Sequence, residues 1–152
     1  MPNENSFLSR KPRLDEYWRG IVLFGNNVAS YKFALAQSLL ELEPESGRLL
    51  KLHELAPVYA KHISKHLEAS DKQSTSSSSK FLSACREYNR GTLPEGELTD
   101  VTVQLGFNNV LDAFHRVNRQ ETEKRFFIDE RRESNGIRIT DEFNELIRGA
   151  QV

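Results

Sequence analysis

The chain has 152 residues, 38% of them hydrophobic and 28% charged, a balance that supports a buried core and excludes a wholly disordered chain. A formal net charge of -1 excludes a general attraction to polyanions, so any nucleic-acid contact has to come from a local patch. The single cysteine, Cys85, excludes an internal disulfide and a cysteine-based zinc site.

Residues 1–13, ending in Arg10-Lys11-Pro12-Arg13, are polar and expected as a flexible N-terminal segment. A helix is predicted over about 14–24, with Asp15 and Glu16 suited to its positive N-terminal end. Gly25-Asn26-Asn27 interrupts it, because Gly and Asn tolerate the left-handed geometry that ends a helix. A second helix over about 28–42 places Tyr31, Leu35, Leu39 and Leu42 on one face, with Ala34 beside them. Glu43-Pro44-Glu45-Ser46-Gly47 reads as a turn. The third helix, over about 53–69, carries a stripe of Leu55, Tyr59, Ile63 and Leu67, with Pro57 early enough for its missing N–H to cost little.

The run Ser74-Thr75-Ser76-Ser77-Ser78-Ser79 is expected as a mobile loop. It leads to a helix over about 78–90, with Gly91 at the capping position and Cys85 as a buried thiol. A fifth helix over about 94–105 starts with Pro94 and ends at Gly106, and a short one spans Asn109–Val117. Arg125-Phe126-Phe127-Ile128-Asp129 and Gly136-Ile137-Arg138-Ile139-Thr140 flank Ser134-Asn135-Gly136, and Asn-Gly is a strong hairpin signal. Thr140-Asp141-Glu142-Phe143 reads as the capped start of a final helix. The expected fold is mainly α, a compact bundle of about six helices with one small β-hairpin near the C-terminus. With no apolar stretch of about 18 residues and no cationic-then-apolar leader, no membrane partner is expected, and the location is read as cytoplasmic.

The near-neutral total conceals a gradient. Residues 48–91 sum to +4, whereas residues 92–115 sum to -4 and hold no Lys or Arg. Two readings are open: a binding surface, or two solvated helix faces of opposite sign that attract each other. His62 and His66, four apart on a helix, can reach one metal ion. In His62-Ile63-Ser64-Lys65-His66, however, Lys65 stands between them, the metalloprotease glutamate is missing and no third ligand is evident, so solvated or phosphate-facing imidazoles are preferred. No nucleophile motif, phosphate loop or clustered His–His nuclease hairpin is visible, so neither an enzyme nor a cofactor is expected from this chain.

Polar residues recur beside helix starts. Asn26, Asn27 and Ser30 precede Tyr31 and Lys32, where helix N–H groups favour anions and Lys32 adds a charge. Asn108 and Asn109 precede a segment carrying Phe114, His115 and Arg116, in which Asn suits base edges and His115 can donate to a phosphate. The bland alternative is that the asparagines cap helices while Tyr31 and Phe114 belong to the core.

Four stretches carry a resemblance. They are Tyr17-Trp18-Arg19-Gly20 through Asn26-Asn27-Val28-Ala29-Ser30-Tyr31-Lys32-Phe33-Ala34-Leu35; Cys85-Arg86-Glu87-Tyr88-Asn89-Arg90-Gly91; Leu105-Gly106-Phe107-Asn108-Asn109-Val110-Leu111-Asp112-Ala113-Phe114-His115; and Arg125-Phe126-Phe127 with Gly136-Ile137-Arg138-Ile139-Thr140-Asp141. Together they resemble the N-terminal domain of bacterial HNH endonuclease-family proteins, in which a nuclease domain normally follows. The resemblance implies that residues 14–152 form one helical DNA-recognition domain, separate from the nuclease, of a restriction or defence system. More distantly, Tyr31, Lys32 and Leu35 are similar to the entry helix of sulfur-binding domains in McrA-type modification-dependent restriction enzymes, which implies double-stranded DNA with a phosphorothioate backbone as partner. Tyr31, Phe107 and Phe114 would then supply apolar surface for sulfur, with Lys32, His115 and Arg19 or Arg119 nearby. The expected DNA-binding set is Arg19, Asn26, Asn27, Ser30, Tyr31, Lys32, Asn108, Asn109, Phe114, His115, Arg116 and Arg119, and Lys32→Ala is expected to weaken binding while leaving the fold intact. The alternative is a protein-interaction or homodimerisation domain of the same defence protein.

Overall fold

The computed structural model describes residues 13–24, 29–70, 79–117 and 120–150. The predicted flexible segment up to residue 12, the Ser-rich run as far as Ser78, and the candidate site residues Asn26, Asn27 and Arg119 lie outside them.

Helix α1, Leu14–Phe24, opens where the Glu16 carboxylate accepts the Arg13 N–H at 3.0 Å, closing back on the residue that starts the helix. Helix α2, Ala29–Leu42, buries Leu35, Ala36 and Leu39 and stops at Glu43, whose φ of 45° cannot continue a right-handed helix. Helix α3, Leu52–Ser70, is the central element, and its predicted stripe of Leu55, Tyr59, Ile63 and Leu67 is buried. Ser79 caps α4, Lys80–Asn89, by accepting the Leu82 N–H at 3.2 Å, and Gly91 follows in the left-handed region at φ 80°.

The fifth predicted helix is split. An α-helix, α5, covers Glu95–Val101 and then widens to a π turn over Thr102–Gly106. The buried Thr102 hydroxyl donates to the Leu98 carbonyl at 2.7 Å, sharing the acceptor that regular helical pairing would use. The helix predicted across Asn109–Val117 is also shorter: α6 is Val110–Ala113. The chain then extends as β2, Arg116–Val117, antiparallel to β3, Gln120–Glu121, which turns His115 inward.

The C-terminal hairpin is present with a different turn. Strands β4, Phe127–Glu130, and β5, Gly136–Ile139, are antiparallel, but one helical turn, α7, Arg131–Ser134, joins them. Asn135 at φ 54° ends that turn, while Gly136 already belongs to β5 opposite Glu130. A third strand, β1, Leu49–Lys51, was not foreseen from the sequence; it pairs antiparallel with β5, giving the order β1–β5–β4. Gly136 makes that approach possible, since a Cβ there would lie 2.5 Å from the Leu50 carbonyl oxygen. Helix α8, Asp141–Ala150, follows, its Phe143 N–H directed at the Thr140 hydroxyl at 3.4 Å.

The fold is therefore mainly α with a small antiparallel sheet. One aromatic group stacks Tyr59 on Phe107 at 4.8 Å between ring centres and on Phe81 at 6.1 Å. Another sets Trp18 edge-on to Phe114 and Phe126, joining α1 to the strand region. The oppositely charged segments meet through the Lys61–Glu95 ion pair at 3.0 Å, in line with the attraction of solvated faces.

Candidate nucleic-acid interface

The predicted site residues that the structure describes do not converge on one surface. Lys32 is fully buried and donates from Nζ to the Arg116 carbonyl at 2.7 Å, with burial lowering its pKa. His115 is buried beside it. Its Nε2 accepts the Phe126 N–H at 3.0 Å, which puts the ring proton of the neutral imidazole on Nδ1. Burial, followed by the charges of Arg125 and Lys32, lowers its pKa to about 3. Phe107 and Phe114 are core residues as well. The expected exposed phosphate contacts of Lys32 and His115, and an apolar sulfur pocket of Phe107 and Phe114, do not match these placements. The pattern of a polar residue beside a helix start was the same in either case, and tertiary packing turned these side chains inward.

The remaining described residues are spread out. Arg19 is exposed and pairs with Asp15 at 3.5 Å. Tyr31 is half-buried, and burial raises its hydroxyl pKa, the charge of Cys85 acting in the same direction and that of Arg86 against it. Arg116 is exposed on β2 and makes no ion pair among the described residues. Asn109 is exposed but makes no side-chain cap to α6. Asn108 borders a cavity of about 610 Å³ with Asp112, Asp129, Arg131, Arg132 and Glu133.

That cavity is dominated by internal pairing. Arg131 reaches Asp112 at 2.6 Å, Asp129 at 2.8 Å and the Phe107 carbonyl at 3.1 Å, so its guanidinium ties α6 to the hairpin. Burial pushes the Asp129 carboxyl up, but hydrogen bonds and charge from Arg131 outweigh it and hold the pKa below its ordinary value. A cavity lined by three carboxylates is poorly suited to a polyanion.

A different surface has the opposite character. Between α2 and α3 lies a groove of about 350 Å³ lined by Ser30, Phe33, Ala34 and Gln37 from one helix and His62, Lys65, His66 and Ala69 from the other. Both sets follow the spacing i, i+3, i+4, i+7, which puts each on one helix face. Ser30 Oγ lies 3.2 Å from His66 Nε2, and His62 Nε2 lies 2.7 Å from the Glu41 carboxylate on α2. Among the described residues no carboxylate lines the groove, and Lys65 is exposed and makes no ion pair. Phe33 is 54% exposed at this surface. A second cavity, of about 210 Å³, is lined by Leu67 and Glu68 of α3, Arg86 and Asn89 of α4, and Arg90, which caps α4.

His62 and His66 thus share a groove, each hydrogen-bonded towards α2. Among the described residues, no group of three or more His, Cys, Asp or Glu side chains is placed to hold a metal ion. Of the described residues in the predicted set, only Ser30 lines the groove. Phe33 and Gln37 were missed because the α2 pattern was read for its core stripe. The available signal was an aromatic residue two positions before Leu35, about 200° round the helix from it and so off that stripe.

Comparison with protein-family models, with curated proteins and with solved structures gave no match to this chain. No described helix is long and apolar enough to cross a membrane.

Proposed function

We propose that this chain is the DNA-recognition domain of an HNH-type restriction or defence endonuclease, with the α2–α3 groove receiving the phosphate backbone of a duplex. One observation carries the reading: among the described residues the groove gathers Ser30, Gln37, His62, Lys65 and His66 with no carboxylate in its lining, Glu41 being bonded to His62 from outside it. These groups can donate hydrogen bonds to phosphate oxygens, and Lys65 supplies a charge not engaged in an ion pair among the described residues. Arg90, the residue that caps α4, is similarly without an ion pair among those residues and is a second candidate phosphate contact. The family resemblance supports the same reading. Within it, the linkage read is a phosphorothioate, because the exposed Phe33 and Ala69 place apolar surface in the groove with Lys65 for a large, weakly hydrated sulfur.

The test is fluorescence-polarisation titration of labelled duplexes at two salt concentrations, including pairs that differ only in one stereodefined phosphorothioate. Lys65→Ala is expected to weaken duplex binding and reduce the salt slope by about 0.9 for one lost phosphate contact. Lys61→Ala, which removes a lysine paired with Glu95, is the control and is expected to do less. Equal affinity and slope in Lys65→Ala and the parent would remove the groove from the interface. Preference for one sulfur diastereomer supports modification reading, while equal salt-dependent binding of all probes leaves a general DNA-binding module.

The exposed Phe33 and Leu40, on the same helix, favour a second reading as a dimerisation or protein-interaction face. A concentration-dependent dimer in sedimentation, with no binding to any duplex, would select it.

A further inference from the structure

The groove contains more apolar surface than phosphate binding requires. Phe33 is 54% exposed on a helix whose opposite stripe is buried, so it is not used in the core. It borders the same 350 Å³ space as Gln37, Lys65 and His66. That volume lies within the range of small-ligand sites and is far larger than one sulfur atom needs. The combination is an aromatic face, an amide and a cation. An aromatic face stacks on a base, an amide can donate and accept along a base edge, and a cation neutralises the attached phosphate.

We propose that the α2–α3 groove is a nucleotide pocket that takes one base displaced from a duplex, with Phe33 stacking on the base, Gln37 hydrogen-bonding its edge, and Lys65 with His66 holding its phosphate. This rests on the DNA-recognition reading and assigns the groove's apolar wall to a base. Charge complementarity selects a nucleotide over a neutral aromatic ligand, because among the described residues a cation and several donors, and no carboxylate, line the groove. Removing a base from the stack costs energy, and that cost is smaller when the base is already unpaired. The pocket therefore distinguishes a duplex with an extrahelical base from its fully paired counterpart.

The experiment uses the full chain and three labelled duplexes of one sequence: fully paired, carrying a single bulged nucleotide, and carrying an abasic residue at the bulge. The parent is expected to bind the bulged duplex about tenfold more tightly than the paired or abasic ones. In Phe33→Ala that preference should fall towards unity, while Phe33→Trp should retain it. Circular dichroism checks that both variants are folded, which the exposure of Phe33 favours. A base in the pocket should also quench or shift 2-aminopurine emission at the bulge differently in the parent and in Phe33→Ala. Salt-dependent binding that ignores the bulge overturns the pocket and leaves the DNA reading standing. A bulge preference unchanged in Phe33→Ala overturns the stacking assignment. Binding to none of the three duplexes sinks both readings together.

Discussion

His115 links the packed interior to a measurable pH dependence. Its pKa is lowered from 6.5 to about 3 by burial and then by the charges of Arg125 and Lys32, whereas in the unfolded chain the imidazole returns to its ordinary value. Between those two values the unfolded chain binds a proton that the native one does not, so stability falls as the pH falls through the ordinary value. From 6.5 down to pH 5 is about 1.5 pH units, each worth about 1.36 kcal/mol, which amounts to about 2 kcal/mol lost to this residue. The result depends little on the folded value, provided that it stays well below 5. The assay is urea unfolding of the parent and of His115→Gln at pH 7 and pH 5. Gln retains an acceptor for the Phe126 N–H and does not titrate. Whatever the substitution costs at pH 7, the loss on going to pH 5 should be about 2 kcal/mol smaller in the variant. Equal losses in the two proteins would refute the argument that His115 is held neutral in the fold.

Three further outcomes follow from the same packing. Lys32→Ala is expected to destabilise the protein by about 1–3 kcal/mol, seen as a lower urea midpoint, because it leaves a void and deprives the Arg116 carbonyl of its donor. It is therefore a fold variant rather than the clean binding variant that the sequence suggested. Gly136→Ala should cost about 1–3 kcal/mol, since its Cβ would meet the Leu50 carbonyl and push β1 from β5; an unchanged midpoint would mean that the strands part without penalty. Burial pushes the Cys85 thiol up to about 11, so iodoacetamide at pH 8 should leave it unmodified in the native protein and alkylate it in urea, as read by mass spectrometry.

Local chemistry was legible where one element's own residues decide the outcome. The stripe of α3, the Ser79 cap and Gly91 stop of α4, and the start of α8 at Thr140 depend on spacing and turn chemistry within a few positions. Asn135-Gly136 marked a hairpin correctly but not its turn, because the close approach of Leu50 to Gly136 comes from a strand nearly ninety residues away. Strand β1 itself has only three residues, too few for alternation to show, and acquires its identity from β5.

The candidate site divides in the same way. The sequence by itself determined a mainly helical chain, a core stripe on α3, a solitary thiol, and a basic middle beside an acidic neighbour. It also presented Lys32, Phe114 and His115 as polar and aromatic residues near helix starts, a pattern shared by exposed sites and buried cores. Only the tertiary structure decided between them, by placing β2 against α1, burying Lys32 under the Arg116 carbonyl and turning His115 towards Phe126. Likewise Phe33 and Lys65 are unremarkable apart, some thirty positions distant in the chain, and become one surface because α2 packs on α3. Periodicity reports which face of a helix is apolar; which other face meets it depends on long-range packing that no short window of sequence contains.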